Sequence, residues 1–247
     1  MLDGRVALIT GSSRGIGLAI GRELARAGAH VMLNCDRSVG EVQAAVGTLP
    51  GGQDRHGWFQ ASVEEPAGVS AMMAEVDRRW GRLDILVNNA GVTRFVPHHD
   101  LEALDLDLFD RIYRVNLRGV FLCIRAARVL LERHPPGLVV NISSIAATTA
   151  VGSNVAYCAS KAAVVNLTQS LARALAPAIR INAVSPGLID TELTQGWKEY
   201  REEQIAKNPM QRLGTPEDVA AAVLALATLL PYANGMNLVL DGGRCLT

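Results

Sequence analysis

Short apolar runs alternate with longer segments of helical periodicity from one end of the chain to the other. Runs at 6–9, 31–33, 58–59, 83–87, 138–142, 179–184 and 238–240 are rich in apolar and β-branched residues and read as buried strands. Between them, 15–27, 66–80, 155–175 and 216–229 read as helices, and 107–133 as one long or broken helix. Gly28 ends the first helix, Pro66 takes a favourable first-turn position, and Pro135-Pro136-Gly137 stops the long one. Repeated strand–helix–strand units with right-handed crossovers predict a doubly wound α/β architecture. Its parallel sheet has seven strands, with helices on both faces. No linker, low-complexity tract or fixed-period repeat divides the chain, so 1–247 reads as a single domain. Segment 188–212 breaks the alternation: it is long, charged, and carries Trp197 and Tyr200. An insertion there is either a lid over a ligand site or a solvated helical excursion.

The first strand runs into Thr10-Gly-Ser-Ser-Arg-Gly-Ile-Gly17, which opens the first helix. Gly11, Gly15 and Gly17 permit a tight turn and close backbone approach, and the helix N-terminus offers unpaired N–H groups to a pyrophosphate. Ser13, Arg14 and Ile16 complete this candidate dinucleotide loop. The second strand ends Leu33-Asn-Cys-Asp-Arg-Ser38. Arg14 and Arg37, with Ser38, are placed to flank a 2′-phosphate, because the guanidinium fork donates in pairs. Asp36 facing the ribose would favour NAD; Asp36 facing solvent with Arg37 turned in would favour NADP. Cys35 holds the position expected of a ribose-binding acid, which tilts the reading to NADP(H), with NAD(H) as the alternative.

Tyr157 and Lys161 are four apart in the 155–175 helix and therefore share a face. A cation beside a phenol favours the phenolate and should lower its pKa, making Tyr157 a general acid or base. Ser144, thirteen residues earlier, is a hydroxyl able to hold a carbonyl oxygen. The Tyr–Lys pair alone also fits an ordinary amphipathic helix; the rest of the chain gives it weight.

Composition narrows the function. Lys+Arg and Asp+Glu balance at 24 each and aromatics are 4%, which argues against a nucleic-acid partner. The apolar run 219–230 is too short to span a membrane. Cys35, Cys123, Cys158 and Cys245 lack paired spacing and read as reduced thiols in a cytoplasmic protein. The five histidines form no ligand cluster, so no metal is expected.

Taken in order, Gly11/Gly15/Gly17, Asn88-Asn-Ala-Gly91, Asn116, Ser144, Tyr157/Lys161, Pro186-Gly187 with Thr191, the 212–220 segment and Asp241-Gly-Gly243 resemble the short-chain dehydrogenase/reductase family. The resemblance spans essentially the whole chain and implies a Rossmann fold with NADP(H) as favoured cofactor. It implies hydride exchange between the nicotinamide and a small-molecule carbonyl or secondary alcohol. Tyr157 would exchange the proton, Lys161 would lower its pKa and hold the nicotinamide ribose, and Ser144 would orient the carbonyl. Asn116 would hold a water that relays protons to Lys161. Ser62 and Val63 would flank the adenine, and Asn89, Ala90 and Gly91 would line the adenosine side. Pro186, Gly187, Ile189 and Thr191 would hold the nicotinamide amide.

Within the family the closest general likeness is to 3-oxoacyl-thioester reductases, although Pro135 and Ala178 stand where a carrier-docking base is expected. Arg133 or Arg173 would have to substitute. An NAD-dependent alcohol or sugar dehydrogenase, supported by Asp36, and a non-catalytic nucleotide-binding scaffold are the rival readings. Thr93, Arg94, Phe95, Val151, Asn154, Leu188 and Trp197 are the expected pocket wall. The family implies a homotetramer, with Phe121, Leu122, Ile124, Val129 and Leu130 as apolar contact surface. A short 227–235 segment leaves a dimer open, and the 244–247 tail is placed to reach a neighbouring subunit's site.

Overall fold

The computed structural model describes the backbone of residues 1–247 and the side chains of all of them except Gln53 and Leu193. Its strands are β1 (Val6–Ile9), β2 (His30–Cys35), β3 (Gly57–Gln60), β4 (Ile85–Asn88), β5 (Gly137–Ile142), β6 (Ile179–Pro186) and β7 (Asn237–Leu240). All pair in parallel, in the order β3-β2-β1-β4-β5-β6-β7. The chain winds outward one way from β1 and then restarts on its other side with β4. A crevice therefore opens beyond the strand ends between β1 and β4.

The helices are α1 (Gly15–Arg26), α2 (Val39–Gly47), α3 (Pro66–Trp80), α4 (Leu106–Tyr113), α5 (Val120–Glu132), α6 (Ala146–Thr149), α7 (Val155–Leu175), α8 (Glu192–Gln195), α9 (Lys198–Lys207) and α10 (Pro216–Thr228). Alternate strand residues feed two cores, because successive side chains leave a strand on opposite faces. Ala7 and Ile9 join Ile20, Leu24, Val42, Val219 and Val223 under α1, α2 and α10. Val6 and Leu8 join Met72, Val76, Cys123 and Val164 under α3, α5 and α7. Burial on both faces is why these strands read as nearly unbroken apolar runs rather than alternating ones.

One open expectation is resolved and two change. The 107–133 helix is broken by a π-helical segment, Arg114–Gly119, between α4 and α5. Helix α2, capped by Ser38 Oγ accepting from Glu41 N at 3.2 Å, has no counterpart among the sequence-predicted elements. The proposed contact surface on α5 is only partly outward: Leu122, Ile124 and Leu130 are in the core, while Phe121 and Val129 are exposed. A helix turns 100° per residue, so a run of five apolar positions cannot share one face.

Segment 188–212 forms α8 and α9, and its ends are clamped together: Asp190 N donates to Gly214 O at 2.9 Å and Gly214 N to Leu188 O at 3.1 Å. The C-terminal tail lies on this insertion of its own chain, with Thr247 Oγ1 donating to Lys207 O. Among the described residues no helix is long and apolar enough to cross a membrane.

The π segment packs on the chain beyond β3 through Gly119, where a Cβ would stand 2.8 Å from Val63 Cγ2. Gly119→Ala is expected to destabilise the fold by about 1–3 kcal/mol through overpacking. The loss should shrink in a Val63→Ala background, as read by a double-mutant cycle in urea unfolding.

Candidate active site

A cavity of about 810 Å³ lies beyond the ends of β1, β2, β4, β5 and β6. Its floor is the glycine loop, held unusually close to the chain after β4. A Cβ on Gly11 (φ +61°) would lie 2.7 Å from Ala90 Cα, and one on Gly17 would lie 2.6 Å from both Asn89 Nδ2 and Gly11 O. Asn89 Nδ2 donates to Thr10 O (3.0 Å) and Gly11 O (2.7 Å), stitching the two turns together. From the other side, Gly11 N donates to Asn34 Oδ1 at 3.3 Å. The Asn34 amide donates onward to Phe59 O and Ala61 O, so this buried asparagine at the end of β2 aligns three strand ends.

Helix α1 begins without a side-chain cap, unlike α2, α4, α7 and α10. Its first N–H groups, beside a cavity lined by Ser13, Arg14, Gly15 and Ile16, fit a pyrophosphate. Around the end of β2 the lining is Cys35, Asp36, Arg37 and Ser38. Asp36 is half-exposed and pairs with Arg37 at 3.6 Å, while Arg14 pairs with Glu192 at 3.5 Å. Two guanidiniums held only by exposed acids suit a 2′-phosphate. Ser62, Val63, Asn89, Ala90 and Gly91 continue the wall, and Pro186, Gly187, Ile189 and Thr191 close the far side.

Ser144, Tyr157 and Lys161 share this cavity. Helix α7 is fixed at its start by Asn154, whose Oδ1 accepts from Tyr157 N at 2.7 Å. One turn on, Lys161 is buried, with Nζ donating to Ile142 O at 2.8 Å and lying 5.7 Å from the Tyr157 ring centroid. Ser143 Oγ donates to Lys161 O, which leaves Ser144 as the serine free to face substrate.

The proton states differ from expectation. Burial pushes the Tyr157 phenol up to about 12, and the group that opposes this is the Ser144 hydroxyl rather than Lys161. Burial also pulls Lys161 down to about 8. Stripping water from both groups outweighs their mutual attraction, since each charged form has lost its solvent.

Other expected site residues sit behind the wall. Gly17 is a packing glycine outside the cavity lining. Asn116, in the π segment, is buried: its Oδ1 accepts from Val92 N (2.8 Å) and its Nδ2 donates to Val92 O (3.1 Å) and Ser160 Oγ (3.3 Å). Its amide is thus occupied by protein, yet Asn116 Oδ1 and Lys161 Nζ flank Gly91 together. Asn154 is a helix cap rather than pocket wall, and Phe95 stacks outside the cavity against Trp197 and Tyr200. Thr93, Arg94, Val151, Leu188 and Trp197 do line it. Tyr200, Gln204 and Arg244 line it too, although no sequence motif marks them. The signal available for Tyr200 and Gln204 was a polar or aromatic residue in an insertion beside a binding site, and for Arg244 a basic residue in the tail.

A family model described as enoyl-(acyl carrier protein) reductase matches residues 11–244. The chain is 37% identical to D-threitol dehydrogenase of Mycolicibacterium smegmatis, over 98% of this chain and 93% of that one. It is 36% identical to the 3-oxoacyl-acyl-carrier-protein reductase FabG of Staphylococcus aureus, over 96% of each. A solved gluconate 5-dehydrogenase from Burkholderia cenocepacia, in complex with NADP and tartrate, superposes with a TM-score of 0.89 at 33% identity. That match covers 100% of this chain and 97% of the other.

The buried lysine makes a testable mark on stability. Below pH 8 the folded and unfolded chains both carry the Lys161 charge, and the burial penalty is complete. Between about 8 and the ordinary 10.5, the folded chain sheds a proton that the unfolded chain keeps, so this contribution to stability rises with pH. Urea unfolding of wild type and Lys161→Met should show the variant's relative stability falling from pH 7.5 to pH 10. A gap that stays constant would show that Lys161 is not held at a lowered pKa.

Proposed function

Because the chain belongs to the short-chain dehydrogenase/reductase family and is a nicotinamide-dependent oxidoreductase acting on CH–OH or carbonyl groups, we propose that it reduces a free small-molecule ketone with NADPH. The observation that carries this reading is the convergence of Ser144, Tyr157 and Lys161 on the same cavity as the uncapped start of α1. When bound, the nicotinamide supplies the hydride. The chain's own residues orient the substrate and deliver the proton. Ser144 donates a hydrogen bond to the carbonyl oxygen, and Tyr157 Oη transfers its proton to that oxygen as negative charge develops there. A phenol held near 12 is protonated at neutral pH, the form that reduction requires.

Lys161 keeps N–H groups beyond the one given to Ile142 O, and these would hold the nicotinamide ribose together with Tyr157. Asn116 acts as a positioning residue, fixing Gly91–Val92 beside Lys161. The loop N–H groups from Ser13 to Gly17 would take the pyrophosphate, and Arg14, Arg37 and Ser38 the 2′-phosphate. Ser62 and Val63 would flank the adenine, with Asn89, Ala90 and Gly91 on the adenosine side. Pro186, Gly187, Ile189 and Thr191 would hold the carboxamide.

A 3-oxoacyl thioester is the second reading, favoured by the family model and the FabG relative. Carrier docking finds divided support: Arg133 is tied to Asp77 and Gly81 O, whereas Arg173 on α7 is exposed. A cytoplasmic homo-oligomer, a tetramer or else a dimer, fits four unbridged cysteines and exposed Phe121, Val129, Val155, Leu229 and Tyr232.

The test is oxidation of NADPH, with NADH in parallel, against a ketone panel that includes a short 3-oxoacyl thioester. Tyr157→Phe is expected to lower kcat by about 10²–10⁴. Undiminished turnover in that variant would remove Tyr157 from the chemistry. Arg14→Ala and Arg37→Ala should each narrow the NADPH-to-NADH ratio of kcat/KM by about tenfold. A ratio unmoved by both would remove the two arginines from recognition of the 2′-phosphate.

A further inference from the structure

On the wall of the cavity built by the insertion and the C-terminal tail, Tyr200, Gln204 and Arg244 offer hydrogen-bond donors. Arg244 opens the short turn Arg244–Leu246. The turn is held by the Asp241 carboxylate, which accepts from Gly243 N (2.9 Å) and Cys245 N (2.7 Å). Arg244 Nε donates to Gln204 Oε1 at 2.9 Å, and Nη1 donates to Thr247 O and Oγ1 at 3.2 and 3.3 Å. Among the described residues Nη2 has no acceptor, and no Asp or Glu side chain lies within 4.0 Å of the guanidinium. Glu203 feels the Arg244 charge from beyond contact distance and is itself paired with Lys207, so among the described residues Nη2 is left as a charged donor without a partner beside the cavity.

Gln204 is 7% exposed and lines the same cavity. Arginine has no acceptor, so the contact with Nε fixes which end of the amide is oxygen and leaves the Gln204 NH₂ as the other end. Tyr200 supplies a third polar group to this wall. Burial raises its pKa and the nearby Glu203 charge adds to this, while Arg244 pulls it down. The apolar side of the same corner is a cluster of three rings. Trp197 and Tyr200 have centroids 6.4 Å apart, and Phe95 lies 6.3 and 6.2 Å from them.

A neutral hydroxyl placed here has too few lone pairs for three donors and brings no charge to the guanidinium. A carboxylate accepts from all of them and offsets the charge, and charge-assisted hydrogen bonds of this kind are the stronger ones. We propose that Arg244, Gln204 and Tyr200 form a carboxylate-binding subsite, so that the ketone reduced by this enzyme is a keto acid with an apolar body. Its acid group sits on the insertion side of the cavity. The proposal rests on the reading of this cavity as the substrate site. The competing account of Arg244 is structural: it ties the tail to α9 and recognises nothing.

Two measurements separate these. Calorimetric titration of the NADP⁺-loaded protein with 3-phenylpropanoate and with 3-phenylpropanamide should show the acid binding at least about tenfold more tightly. Arg244→Met should erase that preference and Arg244→Lys should retain most of it. Equal affinity for acid and amide, or no binding of the acid, would overturn the subsite. So would a preference that survives Arg244→Met.

In turnover, 4-phenyl-2-oxobutanoate is compared with its ethyl ester. Arg244→Met is expected to lower the acid-to-ester ratio of kcat/KM by about tenfold to a hundredfold. An equal loss for both compounds would mean a structural role and sink the proposal. If neither compound is reduced, the hydride-transfer reading is what fails for these ketones. The acid-versus-amide titration still decides the subsite.

Discussion

The near-contact between the glycine loop and the chain leaving β4 is the constraint on which the site depends. There Gly11 meets Ala90, Gly17 meets Asn89, and Asn89 bridges both turns. It occurs where the winding of the sheet reverses, so the two strand ends diverge and leave a crevice that side chains do not fill. Had Gly11 or Gly17 carried a Cβ, the turns would be forced apart and the start of α1 would no longer face the cavity. Asn34 applies the same constraint from the β2 side. The floor of the site is thus set by backbone-to-backbone packing, which only residues without side chains permit.

Above that floor, burial decides proton positions. The same desolvation raises the tyrosine and lowers the lysine, so at rest the pair has a firmly protonated phenol beside an ammonium that gives up its proton readily. Adjacency on a helix face places the two groups together, but adjacency does not fix which form is stable. A bound dinucleotide would bring charge into this dry wall, and its phosphates would favour the ammonium.

The sheet and the long helices were legible because their signals are local. Helix α3 runs from Pro66 to a left-handed Gly81, and α7 is bounded as its periodicity indicates. Helix α2 was not, since its nine residues hold glycines at the second and last positions, and glycine disfavours a helix interior. The glycine loop, Ser144, Tyr157 and Lys161 were legible as ordered motifs. Asn116 and Asn154 were visible as polar residues in the right places, but their hydrogen bonds depend on tertiary neighbours about 24 and 60 positions away. Arg244 and Gln204, separated by 40 positions, belong to no motif, and only folding brings them together. The direction of the Tyr157 shift was not legible, because sequence spacing reports proximity and says nothing of solvent.

The clamp at the base of the insertion has a wider consequence. Residues 190 and 214 are one hydrogen bond apart, so everything between them leaves the sheet and returns to it at a single point. Closing such a loop costs little more when it grows and little less when it shrinks. The segment behaves as a replaceable cassette: its length and side chains can drift while the nucleotide floor and the proton-donating wall stay in register. Selectivity for what is reduced can then change by exchange of this segment together with the tail that rests on it, without renegotiating how the reduction is done.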